Sequence, residues 1–148
     1  MKISDLIKPE LIKLGLNCAI KEEVIKILVD ALYEQGSITS GEKCYQDIMA
    51  RETQMTTGLS DGIAIPHTRS DSVVEPAICI GKTIHPIRWE TLDGKDVSIV
   101  FLITVPMKNE ENLHLKILSQ LAEKLMDEDL RKKINLEIDY KEMIELLN

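Results

Sequence analysis

Three histidines carry the side chains best suited to chemistry near neutral pH: His67, His85 and His114. His67 follows the apolar run Ile63-Ala64-Ile65 and then Pro66, which has a fixed φ and no N–H. That order predicts a strand ending at Pro66, with His67 at its tip facing a loop. Strand tips in α/β sheets are where ligands dock. Just upstream, Gly58 and Gly62 would let backbone amides approach an anion, and the Thr56 and Thr57 hydroxyls could add donors. His114 falls in the first turn of a helix expected to begin near Glu111, at the edge of a stripe made by Leu118, Leu121 and Leu125. A helix N-terminus attracts anions and disfavours protonation of an imidazole. His85, between Ile84 and Pro86, reads as a loop residue with no partner and a structural role. Taken one at a time, His67 could equally be a structural or exposed histidine, and His114 a packing residue.

A neutral histidine becomes a nucleophile toward phosphorus when one ring nitrogen is free and the other is held by a hydrogen bond that sets the tautomer. The phosphorylated ring then bears about two negative charges, which backbone amides, an arginine or a second histidine can offset. Arg51, at the end of the helix feeding the glycine-containing loop, is the arginine candidate; alone it would read as a solvated surface charge. A metal-dependent hydrolase could use His67, Asp71 and His114 with Glu110 or Glu111, but no His-x-x-x-His or Cys-x-x-Cys spacing supports a metal site. No Gly-x-Ser-x-Gly elbow offers a serine nucleophile, and no Gly-x-x-x-x-Gly-Lys-Ser/Thr loop cradles a nucleoside triphosphate.

These residues need a scaffold, and 148 residues suit one domain, residues 1–148, with an aliphatic core because aromatics make up only 3%. Hydrophobic residues at 44% exclude a disordered chain. A net charge of -7 argues against nucleic acid, which is bound by lysine and arginine displacing counterions. Cys18, Cys44 and Cys79 are scattered and read as reduced thiols. The N-terminal stretch lacks the pattern of a signal peptide, and the apolar run over 97–107 is about half a membrane span. A cytoplasmic protein without direct membrane insertion is expected.

Periodicity predicts a strand over 11–16 and a helix through Val24, Ile27, Leu28, Ala31 and Leu32, closed by Gly36. A second helix is expected over 40–52, strands over 77–80 and 97–105, and a turn at Leu92-Asp93-Gly94-Lys95. An amphipathic helix through Leu113, Ile117, Leu121 and Leu125 follows, then helices over 128–134 and 140–147. Strands and helices intermixed in this way imply a layered α/β domain.

The run Arg51-Glu52, Thr57-Gly58 and Gly62-Ile63-Ala64-Ile65-Pro66-His67 resembles the phosphorylation-site motif of the fructose/mannitol class of sugar-phosphotransferase enzyme IIA domains. Trp89-Glu90, Leu92-Asp93-Gly94-Lys95, Val105-Pro106 and His114-Leu115-Lys116-Ile117-Leu118-Ser119 extend the likeness over nearly the whole chain. The resemblance implies a mixed five-stranded sheet with helices on both faces, a three-layer α/β/α fold. It implies a relay in which a histidine phosphocarrier protein phosphorylates His67 and an enzyme IIB cysteine receives the group, for fructose or a related sugar. His114 and Arg51 then become supporting catalytic residues, and Thr57, Gly58 and Gly62 candidates for stabilising the phosphoryl group. Neither cofactor nor metal is implied; the membrane enzyme IIC would be reached only indirectly, with enzymes IIB and IIC on separate chains. Thr68 departs from the small residue that often follows the histidine, and Asn17-Cys18-Ala19-Ile20 lacks the usual helix-capping serine or aspartate. A nitrogen-type regulatory phosphotransferase protein, acting through its phosphorylation state, is the alternative of similar motif.

Overall fold

The computed structural model describes residues 2–108 and 112–148. Two 3-10 turns, Ile3–Leu6 and Pro9–Leu11, lead into strand β1, Ile12–Leu16. Helices α1, Lys21–Glu34, and α2, Gly41–Gln54, come next. Four strands follow: β2, Ile63–Ala64; β3, His67–Ser70; β4, Ala77–Ile87; and β5, Val97–Pro106. Helices α3, Leu113–Leu125, α4, Glu128–Asn135, and α5, Tyr140–Leu147, complete the described chain.

The sheet is five-stranded and mixed. β4 lies between β1, to which it is parallel, and β5, to which it is antiparallel; β2 and β3 both run parallel to β5 on its far side. Because side chains alternate along a strand, β5 supplies two cores at once. Val100 and Leu102 pack with Val24, Leu28 and Leu32 of α1 and Ile48 of α2, whereas Ile99, Phe101, Ile103 and Val105 pack with Ile117, Leu121 and Leu125 of α3, Ile134 of α4 and Leu147 of α5. The result is the three-layer α/β/α arrangement implied by the resemblance.

Local chemistry explains the helix ends. Gly36 adopts φ +74, and the amides of Gly36 and Ser37 donate to the carbonyls of Tyr33 and Leu32 at 3.0 Å each, closing α1 as a Schellman turn. The α1 start has no side-chain cap, as its sequence foretold, but Glu22 and Glu23 place carboxylates beside its positive end. Ser40 caps α2 by accepting from the Lys43 amide at 3.1 Å.

Two sequence expectations need correction. His85 is not in a loop: it lies within β4 with its side chain exposed, in a stretch where the register with β5 shifts and Pro86 interrupts regular pairing. His67 does not follow the end of a strand but opens one. Pro66 breaks the edge into β2 and β3, and pairing resumes at once, His67 opposite Ile103 and Ser70 opposite Pro106. The Pro66 carbonyl still accepts from the Ile103 amide at 3.0 Å. Proline is tolerated here because β2 and β3 form an edge of the sheet, where a missing N–H breaks no second ladder.

Between α2 and β2 the chain forms a small hairpin. The Leu59 amide donates to the Ile63 carbonyl at 2.8 Å and the Ile65 amide to the Thr57 carbonyl at 3.0 Å. The segment carrying Glu90 and Leu92 lies against it: the Thr56 hydroxyl donates to the Glu90 carbonyl at 2.6 Å, and the Leu92 amide to the Leu59 carbonyl at 2.9 Å. A Cβ on Gly58 would fall 2.1 Å from the Glu90 oxygen. Gly58→Ala is therefore expected to destabilise the fold by about 1–3 kcal/mol through overpacking, read as a lower urea midpoint with an unchanged denaturant slope. A wild-type midpoint would mean that this close approach is not a constraint.

Candidate functional site

Alternation along β3 sorts its side chains. Thr68 and Ser70 take the α2 side, where the Ser70 hydroxyl donates to Asp47 at 2.6 Å. His67 and Arg69 take the other side, opposite Ile103 and Val105, toward α3. The His67 ring is half-buried, and its Nδ1 lies 2.9 Å from the Ile65 carbonyl oxygen. A carbonyl can only accept, so Nδ1 carries the proton and Nε2 keeps its lone pair.

His67, Arg51, His114 and Arg69 all line one cavity of about 720 Å³, together with Gln54 and Ser119. Arg51 comes from the last turn of α2, where its Nη1 reaches the Met55 carbonyl at 3.4 Å. His114 comes from the first turn of α3 and is half-buried. The structure thus brings together the two histidines and the arginine singled out from sequence. A groove of about 830 Å³ along α4 is larger, but none of the histidines lines it. Its Arg131 is already paired with Asp61 at 2.7 Å, so it offers neither a histidine nor an uncommitted arginine.

Thr57, Gly58 and Gly62 do not reach the histidine cavity. Thr57 is buried, and its amide donates to Glu52 Oε1 at 3.0 Å while its hydroxyl donates to the same carboxyl group. Gly58 is pressed against the Glu90 backbone, and the Gly62 carbonyl accepts from Ser98 and Ile99 at 2.8 and 3.0 Å. Arg69, Gln54 and Glu52 were missed in the sequence. Arg69 was within reach of a simple rule: if the strand continues past Pro66, the second residue after His67 shares its face. Among the described residues no group of histidine, cysteine, aspartate and glutamate could hold a metal ion; Glu110 and Glu111, invoked in the hydrolase alternative and at the expected start of the α3 helix, lie outside the described residues.

The electrostatics favour neutral imidazoles. Burial pushes the His67 pKa below its ordinary value, the Ile65 hydrogen bond opposes this, the positive charge of Arg51 lowers it further, and the negative charge of Glu52 opposes in turn. His114 is lowered by burial first, then by the positive charge of Arg69 and by repulsion from His67 whenever that ring is protonated. A neutral ring with a free Nε2, beside two guanidinium groups and a second imidazole, can attack an electrophilic phosphorus and hold the dianion that results.

Known proteins resemble the chain along its length. The family described as "Phosphoenolpyruvate-dependent sugar phosphotransferase system, EIIA 2" matches residues 5–148. The chain belongs to the EIIA 2 family. As an EIIA it is a phosphotransferase component of a phosphoryl relay. It is 34% identical over 143 residues to the fructose-specific EIIA component of Haloferax volcanii, a match covering 97% of this chain and 92% of that one. It is 37% identical over 134 residues to the fructose-specific EIIABC component of Bacillus subtilis, covering 90% of this chain but only 21% of that longer protein. Among solved structures, the nitrogen regulatory protein IIA-Ntr of Neisseria meningitidis superposes with a TM-score of 0.90 at 29% identity, covering 99% of both chains. Among the described residues of this EIIA no helix is long and apolar enough to cross a membrane.

The site's electrostatics are open to titration. His67 is expected to titrate below about 6.5, and Arg51→Gln to move that midpoint upward because a positive charge opposing protonation is removed. Imidazole chemical shifts followed against pH would check both; a wild-type midpoint above 6.5, or a downward move in the variant, would contradict the assignment.

Proposed function

We propose that this EIIA accepts a phosphoryl group on His67 from the histidine phosphocarrier protein and passes it to an enzyme IIB cysteine, in the uptake of fructose or a related sugar. The observation that carries this reading is the Nδ1 contact to the Ile65 carbonyl, which leaves Nε2 as the nucleophilic nitrogen beside Arg51 and His114. In the first step Nε2 attacks phosphorus, the new N–P bond forms, and the donor imidazole departs with the electrons of the old one. In the second, a thiolate of enzyme IIB attacks the same phosphorus and His67 leaves as the neutral Nδ1–H ring. Arg51 and His114 offset the charge spread over the equatorial oxygens during both transfers. The phosphoryl group arrives already activated on nitrogen, so the reading requires no nucleotide, metal or other cofactor.

The fructose assignment is supported by the Haloferax volcanii and Bacillus subtilis relatives, both fructose-specific by name. In this reading the protein works in the cytoplasm, and the membrane enzyme IIC is reached only through enzyme IIB. The close superposition on IIA-Ntr of Neisseria meningitidis favours a second reading, in which phosphorylation of His67 regulates partner proteins instead of feeding a permease. Phosphoryl transfer to a sugar-specific enzyme IIB supports the first reading, and failure with every such protein supports the second.

Incubation with phosphoenolpyruvate, enzyme I and the phosphocarrier, followed by mapping of the labelled residue, tests the common core of both. Label is expected on His67 and is lost in His67→Ala with the fold retained; normal labelling of that variant would refute the site. His114→Ala and Arg51→Ala should slow transfer by about a hundredfold, the cost of removing one preorganised charge-stabilising group. Wild-type transfer rates in both would remove them from the mechanism.

A further inference from the structure

We infer that Glu52 is a positioning residue that, through Thr57, fixes the carbonyl setting the His67 tautomer. The inference rests on His67 being the nucleophile. Glu52 follows Arg51 on α2, and a step of about 100° around the helix separates their directions, so Arg51 lines the cavity while Glu52 turns inward. Glu52 is 7% exposed and Thr57 5%. A carboxyl group so buried demands donors, and the structure gives it two from a single residue, the Thr57 amide at 3.0 Å and the Thr57 hydroxyl.

Thr57 is also the residue that holds Ile65. The Ile65 amide donates to the Thr57 carbonyl at 3.0 Å, and the Ile65 carbonyl is the acceptor 2.9 Å from His67 Nδ1. Glu52, Thr57, Ile65 and His67 therefore form one continuous chain of contacts from α2 to the reactive ring. The hairpin between them is closed by Asp61 and Gly62 at φ 54 and 77, and Gly58 pairs with Ala64 along it. Its tip is tied down by the Asp61 ion pair with Arg131, and its base by Glu52 alone among carboxylates of the described residues. Pro66 offers no amide to the ladder, so the Ile65–Pro66 segment is held by Thr57 on the hairpin side and, through the Pro66 carbonyl, by the Ile103 amide of β5.

This gives Thr57 a role other than binding phosphate. Its hydroxyl is committed to Glu52, and the chemistry it serves is the placement of a proton on Nδ1 and of the lone pair on Nε2. Loosening the brace should let the carbonyl drift and the proton redistribute between the ring nitrogens, which removes nucleophile without removing any group from the cavity.

The test compares full-length wild type, Glu52→Ala, Thr57→Val and Thr57→Ser, uniformly labelled with 15N. Imidazole nitrogen shifts report the His67 tautomer with no donor present, so this arm stands even if phosphoryl transfer fails for other reasons. Wild type and Thr57→Ser are expected to hold the proton on Nδ1, while Glu52→Ala and Thr57→Val gain the Nε2-protonated form. With phosphorylated phosphocarrier as donor, the two disruptive variants should lose about tenfold or more in maximal transfer rate at an unchanged half-saturating donor concentration. If Glu52→Ala does not fold, Thr57→Val against Thr57→Ser carries the comparison. A folded Thr57→Val with the wild-type tautomer and rate would overturn the inference, as would a lowered melting temperature with no tautomer change. Absence of His67 labelling in wild type would instead strike the proposed function.

Discussion

The functional reading of the fold depends on the hydrogen bond from His67 Nδ1 to the Ile65 carbonyl, spanning the proline between them. An imidazole has two nearly equivalent nitrogens, and a relay component must present a defined one to its donor and acceptor. A side-chain partner could rotate away or change protonation state, whereas a backbone carbonyl can only accept. Pro66 contributes by interrupting the edge strand just where the ring must turn back on its own backbone, yet its carbonyl keeps the chain registered on β5 through the Ile103 amide.

Around that bond the sheet divides two tasks. The α2 side of β3 is polar and fixed, with Ser70 joined to Asp47 at 2.6 Å and to Ser72 at 2.7 Å. The α3 side carries the His67 ring, Arg69 and His114 over an aliphatic floor that includes Ile103 and Leu118. Burial and neighbouring cations act in the same direction on the imidazoles, keeping them neutral and hence nucleophilic. The same cations can then compensate the charge of a phosphoryl group, so in the proposed relay one arrangement would serve both the empty and the loaded site.

Much of this was legible in the sequence. The helical stripe from Val24 to Leu32 with its closing glycine, the second helix over 40–52 and the valine- and isoleucine-rich β5 are local signals, and local physics placed them well. His67 and His85 escape local signals for related reasons: Pro66 has the character of a strand terminator, and the apolar run that marks β4 stops at Ile80, whereas long-range pairing with β5 carries both strands further. Thr57, Gly58 and Gly62 had the composition of an anion-binding loop. What distinguishes that from a packed hairpin is the buried Glu52 carboxyl and the pressing of the Glu90 backbone on Gly58, neither of which spacing reveals. Arg69 followed from the alternation rule once β3 was known to continue.

The nitrogen that carries phosphorus tests the account most directly. Phosphorylated, 15N-labelled protein examined for nitrogen–phosphorus coupling should show the bond at His67 Nε2, with Nδ1 still protonated and hydrogen-bonded. Phosphorus on Nδ1, or on any other residue, would contradict it, because the Ile65 carbonyl would then be holding the wrong atom.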